Sequence, residues 1–110
     1  MGNCCSCKPK PCTLLSGNII VIDIMFSPNS NPNDIIGEIS NIGRRYNTSI
    51  SSTRYQIKRN NIYHFLGVGD TYSETLECRL SLINYLTDEK DNNLVDWYNV
   101  GVMKGCLCSF

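Results

Sequence analysis

Apolar positions along the chain change period several times, and the changes divide it into six segments. Asn18 to Phe26 runs Ile-Ile-Val-Ile-Asp-Ile-Met-Phe after its first residue. That run is β-branched, too short for an ordinary helix and apolar on both faces, which predicts a central strand. Turn residues follow from Ser27, and Asn31 before Pro32 supplies an N-cap and a proline for a first helical turn. Ile35, Ile39, Ile42 and Tyr46, with Ile36 alongside, then recur at intervals of four, three and four. They form one stripe of a helix over residues 32–46. Gly37 and Gly43 weaken that helix and are candidates for a close approach to a strand.

From Ser51 to Lys58 the pattern alternates, with Ser52, Arg54, Gln56 and Lys58 on one side and Thr53, Tyr55 and Ile57 on the other. This predicts a half-buried or edge strand. Asn60-Asn61 suits a tight hairpin turn, and Ile62 to Val68 returns as a second apolar strand. Thr71-Tyr72-Ser73-Glu74 has the spacing of a capping box, and Tyr72, Leu76, Leu80 and Ile83 are the expected buried stripe of a helix reaching about Asp88. After a polar loop over 88–93, a last strand is expected between Trp97 and Met103, through Tyr98, Val100 and Val102.

The resulting order, β-α-β-β-α-β, predicts an α+β fold of the ferredoxin-like split βαβ type, with one small sheet and two helices on one face. In that topology the first and third strands are central. Here the first and third strand segments are the most apolar and the second is polar. The expected domain spans residues 18–104, between a tail and spacer at 1–17 and a cysteine-containing tail at 105–110.

If Ile20, Ile22, Ile24 and Phe26 face the helices, the other face carries Tyr63 and Phe65 beside Arg54 and Lys58. Aromatics flanked by cations on an open sheet suit the stacking of bases and the holding of phosphates. The segment Asn61 to Val68, however, lacks the leading basic residue and glycine of RNA-recognition strands. The same face therefore predicts a protein partner or a second copy first, with single-stranded nucleic acid as the alternative.

Catalytic chemistry has few candidates. His64 is the one histidine, and its alternation with Ile62, Leu66 and Val68 predicts a core residue. A Cys78–His64 pair would lack a third group to orient the base. Gly67-Val68-Gly69-Asp70 precedes a helix as phosphate loops do, but no P-loop lysine follows, and a strand-end turn accounts for it. The expectation is a non-enzymatic protein with no cofactor and no bound metal.

Charge is balanced overall but divided along the chain. Residues Lys8 to Arg59 hold seven basic and three acidic side chains, net +4, and Asp70 to Lys104 hold seven acidic and three basic, net −4. Anionic headgroups or nucleic acid would favour the first half. No apolar run approaches a membrane-spanning length, and the N-terminus lacks the apolar core of a secretory signal. The seven cysteines are accordingly expected to be reduced thiols.

Six of those cysteines lie at the ends, and the start is the most informative stretch: Met1-Gly2-Asn3-Cys4-Cys5-Ser6-Cys7-Lys8-Pro9-Lys10-Pro11-Cys12. Removal of Met1 exposes Gly2 for N-myristoylation, with Ser6 at the position that needs a small hydroxyl residue. One myristoyl chain binds a bilayer only marginally. Cys4, Cys5, Cys7 and Cys12 are candidate palmitoylation sites, and Lys8 and Lys10 can meet anionic headgroups. Cys106 and Cys108 are further candidates if the fold brings the two ends to one side.

The string Gly2-Asn3-Cys4-Cys5-Ser6-Cys7 resembles the doubly acylated N-termini of Src-family kinases, of plant calcium sensors and calcium-dependent kinases, and of small acylated proteins of some plant DNA viruses. The resemblance covers residues 2–12. It implies lipid attachment at the cytosolic face of the plasma membrane or endomembranes, and the viral proteins imply an effector acting on host transport or defence. The combined expectation is a myristoylated and palmitoylated accessory or adaptor protein that binds a protein partner at the membrane.

Overall fold

In a computed structural model of the chain, the structure describes residues 13–57 and 62–109, with side chains described for 17–51 and 62–105. Six elements follow in the order β1 (Thr13–Phe26), α1 (Pro32–Arg45), β2 (Thr48–Ile57), β3 (Ile62–Gly69), α2 (Tyr72–Asp91) and β4 (Val95–Ser109). The strands form one antiparallel sheet in the order β2-β3-β1-β4. With both helices against one face, this is the ferredoxin-like split βαβ topology, and β1 and β3 are its central strands.

Local chemistry starts both helices where the spacing predicts, although α2 runs on to Asp91, into the residues expected as a loop. Asn31 caps α1 by accepting a hydrogen bond from the Asn33 backbone, and Pro32 occupies the first turn. Thr71 caps α2 by accepting from the Glu74 N–H at 3.1 Å, while its hydroxyl donates to Glu74 Oε1. Ile35, Ile39 and Ile42 are the buried stripe of α1. Gly43 marks the close approach: a Cβ there would lie 2.6 Å from the Thr48 carbonyl oxygen, whereas Gly37 faces open space.

Ile20, Ile22 and Ile24 of β1 are fully buried beneath the helices, joined by Phe26, Ile39, Phe65, Leu82, Leu86 and Val95. Two expectations are corrected at this level. Tyr63 and Phe65 also lie on the helix side, Phe65 within the core and Tyr63 edge-on to the Phe26 ring with centroids 5.0 Å apart. In addition, α2 buries Thr75, Cys78, Leu82 and Leu86. Tyr72, Leu76 and Leu80 of the expected stripe are exposed, and Ile83 is half-buried.

The sheet is also longer than the expected domain. β1 pairs with β3 from Met25↔Ile62 to Asn18↔Gly69, but its pairing with β4 continues to Thr13↔Ser109. Residues 13–17, expected as spacer, are therefore strand, and β4 overruns the expected 97–103 at both ends. The extra pairs form a two-stranded arm reaching about 17 Å past the four-stranded region, at ~3.3 Å per residue. Gly17 and Gly105 face each other at its base, with φ of 107° and 130°. Side chains other than glycine rarely adopt that conformation.

Candidate functional site

Directly paired residues on antiparallel strands share a face, so the register assigns the helix-free face. It carries Val21, Asp23 and Met25 of β1, His64, Leu66 and Val68 of β3, and Trp97, Asn99 and Met103 of β4. At its centre His64 Nδ1 meets Asp23 Oδ1 across the β1–β3 pair, both side chains partly accessible. The His64 side chain thus meets a carboxylate on the helix-free face, where the alternation predicts a core residue. Leu66 beside it is buried, and exposure on this face increases toward β4, where Trp97 and Met103 are open to solvent.

Of the expected binding face, Tyr63 and Phe65 are thus removed to the helix side, because β3 meets the helices with the opposite parity. A one-residue change of register exchanges every side chain between faces. Arg54 belongs to β2, but its side chain and all of Lys58 lie outside the described residues. Residues 2–12, with Gly2, Cys4, Cys5, Cys7 and Cys12, lie outside them as well. The backbones of Cys106 and Cys108 lie in the arm, where they pair with Ser16 and Leu14. The C-terminal cysteines are therefore beside the strand that directly continues the N-terminal segment.

The sheet itself separates the nucleophile pair considered from sequence. Cys78 is buried among the helix-side residues, whereas His64 is on the other face. Burial pushes the Cys78 thiol up to about 11, with a hydrogen bond to Thr48 partly opposing it. A thiol held neutral is a poor nucleophile. We expect iodoacetamide at pH 8 to leave Cys78 unmodified in the folded protein and to alkylate it after denaturation, as read by peptide mass mapping. Comparable labelling in both states would contradict the packing.

The same shift sets the direction of an alkaline effect. A thiol whose pKa is raised on folding contributes its full stability below about pH 9 and loses it as pH rises toward 11. Tyr85 acts in the same direction at higher pH, pushed up to about 12 by burial and then by Glu89, Glu38 and Asp34.

Packing also accounts for Gly67-Val68-Gly69. A Cβ on Gly67 would come within 2.7 Å of Ile50 Cγ1 and 2.8 Å of Ile20 Cγ2, and one on Gly69 within 2.0 Å of Thr75 Oγ1. These glycines admit close neighbours rather than a phosphate. A cleft of about 450 Å³ between the end of α1 and the β2 edge is lined by Ser40, Arg44, Asn47 and Asp70 among others. Arg44 donates to Asn41, and Asp70 brings the opposite charge to the same cleft.

The feature that sequence reasoning missed is the outer flank of α2. Among the described residues, the exposed large apolar side chains are Tyr72, Leu76 and Leu80 on α2 and Trp97 and Met103 on β4. Three contacts join the helix to that edge strand. Arg79 Nε donates to the Val100 carbonyl at 3.1 Å, Thr87 and Tyr98 share a hydroxyl hydrogen bond at 2.5 Å, and Lys104 Nζ stands 4.7 Å from the Tyr72 ring centre. The exposed flank of α2 is thereby turned toward β4, whereas Trp97 and Met103 are exposed on the other face of that strand. Comparison with protein-family models, curated proteins and solved structures returned no match to this chain.

Proposed function

We propose that this chain is a lipid-anchored, non-enzymatic adaptor. In this reading N-terminal acyl groups hold it at the cytosolic face of a membrane, and its α+β domain binds a protein partner there. The observation that carries the reading is the exposed apolar flank of α2, formed by Tyr72, Leu76 and Leu80. Single exposed apolar residues are ordinary, but three neighbours on one flank of a helix suit a partner surface. A neutral Cys78 on the opposite side of the sheet from His64 supports the non-enzymatic part. With Phe65 in the core and Tyr63 packed against it on the helix side, the aromatic platform for nucleic acid has no support.

The anchoring half rests on Gly2, Ser6 and the cysteines at 4, 5, 7 and 12, and the arm suits it. Lipids attached to residues 2–7 would hold the arm at the bilayer and leave the α2–β4 edge free. Each buried acyl CH2 contributes about 0.8 kcal/mol, so loss of the myristoyl chain, and with it membrane-dependent palmitoylation, is expected to release the protein. Fractionation of cells expressing Gly2→Ala should move most of the protein to the soluble fraction. Full membrane recovery of that variant would refute the two-signal anchor.

A further inference from the structure

The arm joins two cysteine-bearing segments that are far apart in sequence. Leu14 pairs with Cys108 and Ser16 with Cys106, and alternation along a strand puts positions 14, 16, 106 and 108 on one face of the ladder. The third strand stops short of them, since the last pair of β3 with β1 is Asn18↔Gly69. The Lys104–Tyr72 contact stands at the base of the arm. Leu14 is seven residues from Cys7 and two from Cys12. At ~3.3 Å per residue and ~4.8 Å between strands, the Cys108 backbone lies within about 28 Å of Cys7 and about 12 Å of Cys12 even if the intervening chain is fully extended.

Composition agrees with that placement. Residues 13–17 and 105–109 include Leu14, Leu15 and Leu107 and no charged residue, and the nearest charges in sequence are the cations Lys10 and Lys104. Uncharged strands flanked by cations suit the surface of an anionic bilayer. Lipids on residues 2–7 would keep the tip of the arm near the membrane, where acyltransferases modify juxtamembrane thiols. Cys78 has no such setting, being buried in the core between the sheet and the helices.

We propose that Cys106 and Cys108 are S-acylated, so that the arm is lipid-held through β4 as well as through the segment leading into β1. This deepens the anchored reading and rests on it, since residues 2–7 must first bring the arm to the bilayer. The co-reactant is a long-chain acyl-coenzyme A thioester, presented by a membrane acyltransferase. The cysteine sulfur attacks its carbonyl carbon, a new C–S bond forms as the bond to coenzyme A breaks, and the thiol proton leaves with coenzyme A.

The test uses the full chain expressed in eukaryotic cells. Free thiols of the denatured protein are blocked with N-ethylmaleimide, thioesters are cleaved with hydroxylamine, and the thiols released are tagged with iodoacetamide for mapping. Trypsin separates the two groups of cysteines. Lys8 and Lys10 each precede proline, where trypsin does not cut, so the N-terminal cysteines stay on a peptide ending at Arg44, while Cys106 and Cys108 fall on the peptide beginning at Gly105. Cys78 serves as the reference thiol that carries only N-ethylmaleimide. We expect the Gly105 peptide of the wild type to bear hydroxylamine-dependent tags, and to lose most of them in Gly2→Ala. N-ethylmaleimide on both Cys106 and Cys108, with tags on the Arg44 peptide, would overturn the proposal and leave the N-terminal anchor standing. Tags on the Gly105 peptide at the wild-type level in Gly2→Ala would overturn it as well, because the modification would then not follow from the arm's place beside that anchor. Tags on neither peptide would refute the palmitoylated anchor and the proposal with it.

Discussion

Replacing Phe65 with alanine should cost the domain about 3–5 kcal/mol, the usual penalty for truncating a buried aromatic. Phe65 is 1% exposed and lies in the same cluster as Ile22, Leu82 and Leu86. Its removal from a central strand leaves a cavity where the sheet meets both helices. Domains of this size have ~5–15 kcal/mol of stability in total, so the variant should unfold at much lower urea or be unfolded outright. Val68→Ala, a smaller truncation of a half-buried side chain on the helix-free face of the same strand, should cost far less. Urea melts of the two variants would decide the facing of β3. A mild effect at Phe65 with a severe one at Val68 would reverse it.

A large effect is also expected from a single added methyl group at Gly69. Its Cβ would fall 2.0 Å from Thr75 Oγ1 and 3.0 Å from Thr48 Oγ1. Both threonines are buried, and both hydroxyls are already committed. Thr75 donates to the Thr71 carbonyl at 2.7 Å, and Thr48 to the Tyr46 carbonyl at 3.1 Å. Neither can turn away without giving up a buried hydrogen bond. Gly69→Ala should therefore destabilise by about 1–3 kcal/mol or more, as overpacking does. Thr75→Ala in the same chain should return part of that loss, since the nearest obstruction is then gone. A double-mutant cycle on urea midpoints measures the coupling, and strict additivity would show that the two positions do not meet.

The element order and the central places of β1 and β3 were legible because burial on both faces is written as unbroken apolar runs. For the same reason the facing of β3 was not. Ile62, Leu66 and Val68 are as apolar as Tyr63 and Phe65, so hydrophobicity carries no parity. Two residues did carry it. Asp23 is the one charge in the core of β1, and the antiparallel register pairs it with His64, so both belong on the side away from the helices. Gly67 shares the parity of Tyr63 and Phe65, and its missing side chain admits Ile20 and Ile50.

Helix α2 misled differently, because it bears two apolar stripes and the larger side chains are on the wrong one. Its buried stripe begins with Thr75 and Cys78, small residues that a count of large hydrophobics passes over. Thr75 is small because the helix starts against Gly69, and Cys78 lies deeper, hydrogen-bonded to Thr48. The arm was hidden by composition. Leu14, Leu15, Cys106 and Leu107 beside serines and glycines show no clear period, and only the pairing of two distant segments makes them strands.

That arm determines how the domain would bear load. Thr13 and Ser109 are partners, so pulling the two ends apart would open their ladder one pair at a time from the tip, at low force. An anchor at residues 2–12 and a partner held on α2 would pull along a different axis. Tension would then run lengthwise through β1, whose hydrogen bonds to β3 and β4 must shear together rather than in sequence. The strand that continues from the proposed lipid anchor is also the strand with two neighbours over most of its length. Such a domain would yield to peeling at its ends while resisting a drag between membrane and partner.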